Sequence, residues 1–175
     1  MSILITGAAG FIGSNFVLNW LEKNKEKVIA LDKLTYAGNL ENLKSVEKKS
    51  NYEFVKGDIG DSNLVADLLK KYQPRAIINF AAESHVDRSI HGPDDFMQTN
   101  IMGTYRLLEE ARSFFNTLSE DDKDKFRFLH VSTDEVYGTL SQTDPAFKET
   151  NQYEPNSPYS ASKAASDHLV RAWHH

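Results

Sequence analysis

Residues 3–13 read ILITGAAGFIG. Ile3, Leu4, Ile5 and Thr6 run without polar alternation into a glycine, and two more glycines follow at 10 and 13. An unbroken run of this kind fits a strand buried on both faces. A glycine directly after it supplies a tight turn, and the G-x-x-G-x-x-G spacing lets a helix start close against that turn. A helix opening at Phe11 offers N–H groups and the positive end of its dipole, which suit a phosphate. A structural turn without ligand needs the same glycines, so the motif alone leaves both readings open.

The next residues favour a ligand. VIALD (28–32) is a second apolar run, closed by Asp32. Asp32 lies 19 residues beyond Gly13, near the roughly 20-residue offset at which an acid meets an adenosine ribose. A carboxylate there accepts from a 2′-hydroxyl and repels a 2′-phosphate, which favours NAD over NADP, although adjacent Lys33 works against that preference. A strand-end cap is the plainer role for Asp32. KGDIGD (56–61) sets Asp58 and Ile59 after a third apolar run, where they hold an adenine edge or merely form a turn.

Working outward, strand-like runs at 3–6, 28–32, 52–55, 76–82 and 126–131 alternate with helical patterns at 11–24, 39–48, 61–72 and 93–115. In 61–72, Leu64, Leu68 and Leu69 share a face, and Asp61 or Ser62 can cap the start. In 93–115, Ile101, Tyr105, Leu108 and Phe115 form the expected core stripe. The expected fold class is α/β: a doubly wound, Rossmann-like parallel sheet in a single domain over 1–175. SEDDKDK (119–125) reads as a charged loop, and 139–158 as a long polar loop of the kind that covers binding sites. ASDHLVRAWHH (165–175) carries no stop signal and reads as a helix cut short.

Composition narrows the function. With 40% hydrophobic and 26% charged residues, the 175-residue chain suits one globular domain. A net charge of −5 argues against nucleic acid or an anionic membrane as partner. The absence of cysteine excludes a disulfide framework, a thiol nucleophile and a thiolate metal site. No histidine or carboxylate cluster has metal-ligand spacing. Neither a signal peptide nor a membrane helix is evident, so a cytoplasmic location is expected.

Two further stretches carry chemistry. HVSTDEVYG (130–138) places Asp134 beside Glu135 where an apolar run ends. Like charges repel, and a shared site raises at least one pKa, a cost that suggests a site, although a turn is the plainer reading. Neighbours on a strand point to opposite faces, so both acids can serve one ligand only if the strand has ended by Thr133. YSASK (159–163) puts Tyr159 and Lys163 four apart, on one face of a helix. A lysine near a phenol favours the phenolate, which can take a proton from an alcohol as hydride leaves the same carbon. A surface pair is the bland alternative. His85 and His130 are expected as packing or hydrogen-bonding residues.

Taken in order, TGAAGFIG (6–13), DKLTYAGN (32–39), GDI (57–59), AAESHVDRSI (81–90), STDEVYG (132–138) and SKAASDHLVRAW (162–173) resemble the extended short-chain dehydrogenase/reductase superfamily. Within it they are most similar to nucleotide-sugar 4,6-dehydratases of the dTDP-glucose type. The resemblance implies that Gly7, Gly10, Phe11, Ile12 and Gly13 hold the pyrophosphate of NAD. It sets Asp32, Lys33, Leu34 and Thr35 around the ribose, and Asp58 and Ile59 at the adenine. Phe80, Ala81, Ala82, Glu83 and Ser84 would run under the cofactor, with Ser84 also reaching substrate, and Thr99 would touch NAD. Tyr159, with Lys163, would take the C4 hydroxyl proton while hydride passes to NAD. Glu135 would take the C5 proton, Asp134 would protonate the departing C6 hydroxyl, and hydride would return to C6. Thr133 would hydrogen-bond the sugar C4 oxygen. The product is a 4-keto-6-deoxy sugar nucleotide. The same resemblance implies a homodimer, paired through the long helix and the Tyr159 helix. It also implies a longer protein, whose substrate-binding C-terminal part this chain lacks. A sugar-nucleotide 4-epimerase or decarboxylase would keep the glycines, Tyr159 and Lys163 but not the acid pair. A catalytically silent NAD-binding module would need only the glycines and Asp32.

Overall fold

The apolar runs become five strands: β1 (Ser2–Thr6), β2 (Lys27–Asp32), β3 (Tyr52–Lys56), β4 (Ala76–Asn79) and β5 (Arg127–His130). In the computed structural model, which describes residues 1–174, all neighbouring strands pair in parallel, in the order β3-β2-β1-β4-β5. The sheet is the expected doubly wound kind. β1 lies at its centre, every residue buried, with Ile5 opposite Ala30 on one side and Ile78 on the other.

Alternate residues of the central strands feed two apolar layers. Ile3 and Ile5 pack with Val17 and Leu21 of α1 (Phe11–Lys23) and with Leu43 and Val46 of a 3₁₀ helix (Leu40–Val46). Leu4, Ile29 and Ile77 pack on the opposite face, against α2 (Ser62–Tyr72) and α5 (Thr104–Phe115). Each such side chain taken fully from water contributes about 1.5–3 kcal/mol. The Asp61 carboxylate accepts from Leu64 N at 3.1 Å and caps α2, whose buried face is Val65, Leu68 and Leu69, with Leu64 at its margin.

Two glycines join β1 to α1. Gly7 has φ +63°, and a Cβ there would sit 2.6 Å from the backbone nitrogen of Ala81. A Cβ at Gly13 would lie 2.1 Å from the Gly7 carbonyl oxygen. The helix therefore rests directly on the turn, and the turn rests on the chain leaving β4. Beyond β1 the winding reverses, opening a crevice at the carboxyl ends of β1 and β4.

Several boundaries differ from expectation. β4 stops at Asn79, not 82: Phe80 N still bonds Thr6 O at 3.1 Å, but Ala81 N turns to the Thr6 hydroxyl. The helix expected over 93–115 is α4 (Asp94–Phe96), a π-helical segment (Met97–Gly103) and α5, preceded by a short α3 (Val86–His91). The wider π turn rotates α5 about its axis, so Leu107, Leu108, Ala111 and Phe114 face the core. Of the expected stripe only Leu108 is fully buried, while Tyr105 lies edge-on to Trp173 at the surface. The charged stretch 119–125 contains α6 (Glu120–Lys123), capped by Ser119 and carrying three acids in its first turn, a favourable match to the helix dipole. The last helix, α7 (Pro158–His174), packs on α3, α5 and the π turn. No described helix is long and apolar enough to cross a membrane.

Gly13→Ala should cost about 1–3 kcal/mol, because backbone rather than a flexible side chain opposes the added methyl. A thermal melt should fall by several degrees, and an unchanged melting temperature would refute this packing role.

Candidate active site

The crevice is a cleft of about 380 Å³. Its wall contains every residue expected at a cofactor except Leu34: the three glycines with Phe11 and Ile12, Asp32 to Thr35 otherwise, Asp58 and Ile59, Phe80 to Ser84, Thr99, Tyr159 and Lys163. At one side the first turn of α1 aims its N–H groups inward. Phe11 and Ile12 stand 82% and 60% exposed at this turn, available to cover a ligand.

Asp32 is fixed from both sides. One carboxylate oxygen accepts from Ala9 N at 2.8 Å and the other from Leu34 N at 2.7 Å. The second contact bends the chain so sharply that Leu34 takes φ +58°, which removes its side chain from the cleft wall. Each oxygen keeps a lone pair for a ribose hydroxyl. Lys33 forms a 2.8 Å ion pair with Asp58. Burial pushes the Asp58 carboxyl up, but the Lys33 hydrogen bond and the Gly60 N–H outweigh it and hold the group below its usual range. The Asp58 hydrogen bond keeps the Lys33 ammonium above its own.

The paired acids meet the geometric demand of the sequence. β5 ends at His130, and a 3₁₀ turn runs from Asp134 to Tyr137. Thr133 caps it, its hydroxyl accepting from Glu135 N at 3.3 Å. Val136, 1% exposed, anchors the turn from below, leaving Asp134 and Glu135 exposed above. Both acids sit close enough to Tyr159 to act on its charge.

Tyr159 is buried, its ring edge-on to Phe96 and its backbone N–H donated to the Ser89 hydroxyl. Here the structure corrects the sequence reading. Burial pushes the phenol above its usual range, Glu135, Asp134 and Asp167 push the same way, and a hydrogen bond with Thr133 opposes them. Lys163 does not offset this, because its ammonium donates to Val131 O at 2.6 Å. Burial lowers Lys163 itself to about 8, against the pull of Asp167.

Some supporting residues escape a reading of the sequence. Asn100, on the π turn and 1% exposed, accepts from Glu83 N and donates to Glu83 O and the Ser162 hydroxyl. Ser162 in turn donates to Tyr159 O at 2.7 Å. One amide therefore ties the 80–84 segment to the Tyr159 helix. Its only sequence signal is a small amide at the middle of an otherwise apolar-spaced helix. Asp167 accepts from Ser132 and Tyr153, holding the end of β5 and the 139–157 loop to α7. His85 is exposed at the start of α3, outside the cleft wall.

Comparison with known proteins gives a consistent picture. The family described as GDP-mannose 4,6 dehydratase matches residues 4–175. A dTDP-glucose 4,6-dehydratase of Xanthomonas campestris is 62% identical over 98% of this chain and 48% of its own length. The Haemophilus influenzae dTDP-glucose 4,6-dehydratase is 56% identical over 99% of this chain and 52% of its own. The chain thus spans about half the length of the curated relatives it matches. Among solved structures, DesIV, a dTDP-glucose 4,6-dehydratase from Streptomyces venezuelae crystallised with NAD and TYD, superposes with TM-score 0.89 at 46% identity over 99% of this chain and 52% of that one. UDP-glucose 4-epimerase from Thermotoga maritima reaches 0.82 at 30% identity, over 99% and 51%.

The lowered Lys163 predicts a stability signature. Between about 8 and 10.5 the unfolded chain holds a proton that the folded chain has lost, so stability rises with pH across that window. Lys163→Met should remove this rise, seen as a smaller difference between urea midpoints at the two ends. Parallel curves for both proteins would contradict it.

Proposed function

We propose that this chain, which belongs to the GDP-mannose 4,6 dehydratase family, forms the NAD-binding and acid–base part of a nucleotide-sugar 4,6-dehydratase. The reaction is conversion of dTDP-glucose to dTDP-4-keto-6-deoxyglucose and water. The observation that carries this reading is the exposed Asp134–Glu135 pair on a 3₁₀ turn beside Tyr159.

The cleft fits NAD on its own chemistry. Gly10 opens toward it, since a Cβ there would meet nothing nearer than 3.4 Å. Asp32 would hold the ribose hydroxyls, and Asp58 with Ile59 would flank the adenine. Lys33, the cation that would welcome a 2′-phosphate, is already paired with Asp58, which favours NAD over NADP. Phe80 to Ser84 and Thr99 would line the remaining length. When bound, NAD would supply an acceptor for the C4 hydride and then, reduced, a hydride donor for C6, while the proton that Glu135 takes would return to C5.

The chain's own groups handle the protons. Tyr159 takes the proton of the sugar C4 hydroxyl, and Thr133 orients that oxygen. The ammonium of Lys163 stands behind the pair and favours a phenolate once it turns from Val131 O. A C4 ketone acidifies the C5 hydrogen, which Glu135 removes. Asp134 protonates the C6 hydroxyl, which leaves as water because hydroxide is a poor leaving group. Ser84, which also lines the cleft, would contact the sugar. Elimination needs one of the two carboxyls ionised as base and the other protonated as acid.

A 4-epimerase shares the fold, as the Thermotoga maritima structure illustrates, but it has no step that needs a second acid. The reading extends to a cytoplasmic enzyme and to a homodimer. Support for pairing comes from the surface of the π turn and α5, where Met102 and Tyr105 stay 37% and 36% exposed. Cysteine-free composition is compatible with the location.

In the complete protein, Glu135→Gln should leave C4 oxidation intact and stop elimination. Reduced-nicotinamide absorbance should then rise on mixing with dTDP-glucose and persist, while 4-keto-6-deoxy product falls roughly 10²–10⁴-fold. Normal turnover by this variant would sink the dehydratase reading.

A further inference from the structure

Behind the cleft, four side chains from four elements form one hydrogen-bonded chain. Thr6 of β1 accepts from Ala81 N at 3.4 Å and donates to Asn79 Oδ1 of β4 at 2.5 Å. Asn79 Nδ2 lies 3.0 Å from His130 Nδ1 of β5. His130 Nε2 lies 3.1 Å from the Ser166 hydroxyl of α7, and that hydroxyl donates to Lys163 O at 2.8 Å.

The ends of this chain dictate the state of the ring between them. Asn79 uses its oxygen on Thr6, so its amide N–H faces His130 and requires a bare Nδ1. Ser166 spends its proton on Lys163 O, so its oxygen must accept from Nε2–H. Both demands are met by one species, the neutral imidazole protonated at Nε2. A second proton on Nδ1 would confront the Asn79 N–H. Lys163 and Asp167, both on α7, are the charged groups nearest the ring, with Asp167 Oδ1 3.7 Å from Nε2; Arg112 of α5, Arg127 of β5, and Arg171 and His174 of α7 line the cavity on which the ring borders, and Asn79 meets it from the sheet. Burial, helped by Lys163, brings His130 down to about 3, in keeping with a ring that stays neutral.

We infer that His130 is a positioning residue that sets the height of α7, and so of Tyr159 and Lys163, above the cleft. The end of β5 grips α7 at two successive residues: the His130 ring holds Ser166, and the Val131 carbonyl holds the Lys163 ammonium. Lys163 is thereby fixed through its backbone oxygen and its side-chain nitrogen together. Apolar packing alone would let the helix slide, whereas these bonds define one register. This rests on the roles given to Tyr159 and Lys163 above.

Two measurements on the complete protein test it. Nitrogen-15 NMR of the wild type should show a pyridine-type Nδ1 and a pyrrole-type Nε2, unchanged from about pH 8 to 5, where an ordinary histidine titrates. A protonated Nδ1, or a titration in that range, would overturn the inference. His130→Phe keeps the ring volume and removes both bonds, and Ser166→Ala removes only the helix end of the chain. Both variants should bind NAD within about threefold of wild type. Both should slow substrate-dependent cofactor reduction about 10- to 100-fold, the scale set by misplacing a reacting group by roughly 1 Å. The acid limb of that rate should also move to higher pH, because burial, Glu135, Asp134 and Asp167 go on holding the Tyr159 phenol up while the Lys163 ammonium, to which the proposed mechanism gives the task of favouring its phenolate, is displaced. If His130→Phe fails to fold, Ser166→Ala and the NMR result decide. Wild-type rates and pH profiles in the folded variants overturn the inference and leave the dehydratase reading standing. A wild type that reduces no cofactor sinks that reading first, before any variant is made.

Discussion

Helix α1 can begin within one turn of β1 only because position 13 carries no side chain. Its α-carbon sits against the Gly7 carbonyl, where any Cβ would collide at 2.1 Å. Gly7 is in turn pressed against the backbone leaving β4 and adopts a left-handed φ that other residues take at a cost. Two of the three glycines thus serve close packing of backbone on backbone. That packing brings the helix terminus, the end of β1 and the 80–84 segment to one point, so the cleft is walled there by main chain. The remaining glycine, Gly10, faces the opening. A motif that reads as a ligand signature is first a packing solution, and the ligand site is the space that the packing leaves over.

The apolar layers hold helices to sheet, but they do not orient the reacting groups. That work falls to a polar layer at the carboxyl end of the sheet. Thr6, Asn79, Asn100, Ser162 and Ser166 are all nearly or fully buried, and each is hydrogen-bonded. Among the described buried side chains, only Trp20 Nε1 and Thr104 Oγ1 lack a partner. Burying such groups is unfavourable unless every donor finds an acceptor, so a satisfied network tolerates few alternative arrangements. Apolar contacts are non-directional and permit a helix to shift by fractions of a turn. The Asn100 and His130 connections forbid that, one from the π turn and one from β5.

How much of this is legible in the sequence depends on how local each cause is. The five strands and the glycine turn are readable, because uninterrupted apolar runs followed by glycine are a direct imprint of burial. The break before Asp134 is readable too, as a geometric demand that the strand alternation itself imposes. The π turn is not. It depends on Asn100 meeting the backbone of Glu83, a pairing made only in three dimensions, and it shifts the buried face from the expected Tyr105 and Phe115 to Leu107, Ala111 and Phe114. Helix α6 is hidden for a different reason: a run of charge reads as loop, although Ser119 and the acids behind it form a favourable helix start. The Tyr159–Lys163 spacing correctly gives a shared helix face. It does not reveal that Lys163 reaches back to Val131, because that contact belongs to the strand and not to the helix.

Tyr159 ties the two halves of the proposed chemistry together. Burial comes first among the influences that hold its phenol above the usual range, and the two acids on the 3₁₀ turn add to it. A base for the C4 hydroxyl is thus opposed by the very groups needed for elimination. The opposition eases if one acid is protonated, since the phenolate then faces one negative charge fewer. General-acid work by Asp134 requires that same proton. The state that prepares water loss is therefore also the state that lowers the barrier to alcohol deprotonation. Two ionised carboxylates would lack an acid and hold the phenol up, while two protonated ones would lack a base for C5. The adjacency of Asp134 and Glu135, an electrostatic penalty in isolation, presents both carboxyls from a single 3₁₀ turn. Placing them within reach of Tyr159 lets one turn serve both proposed steps.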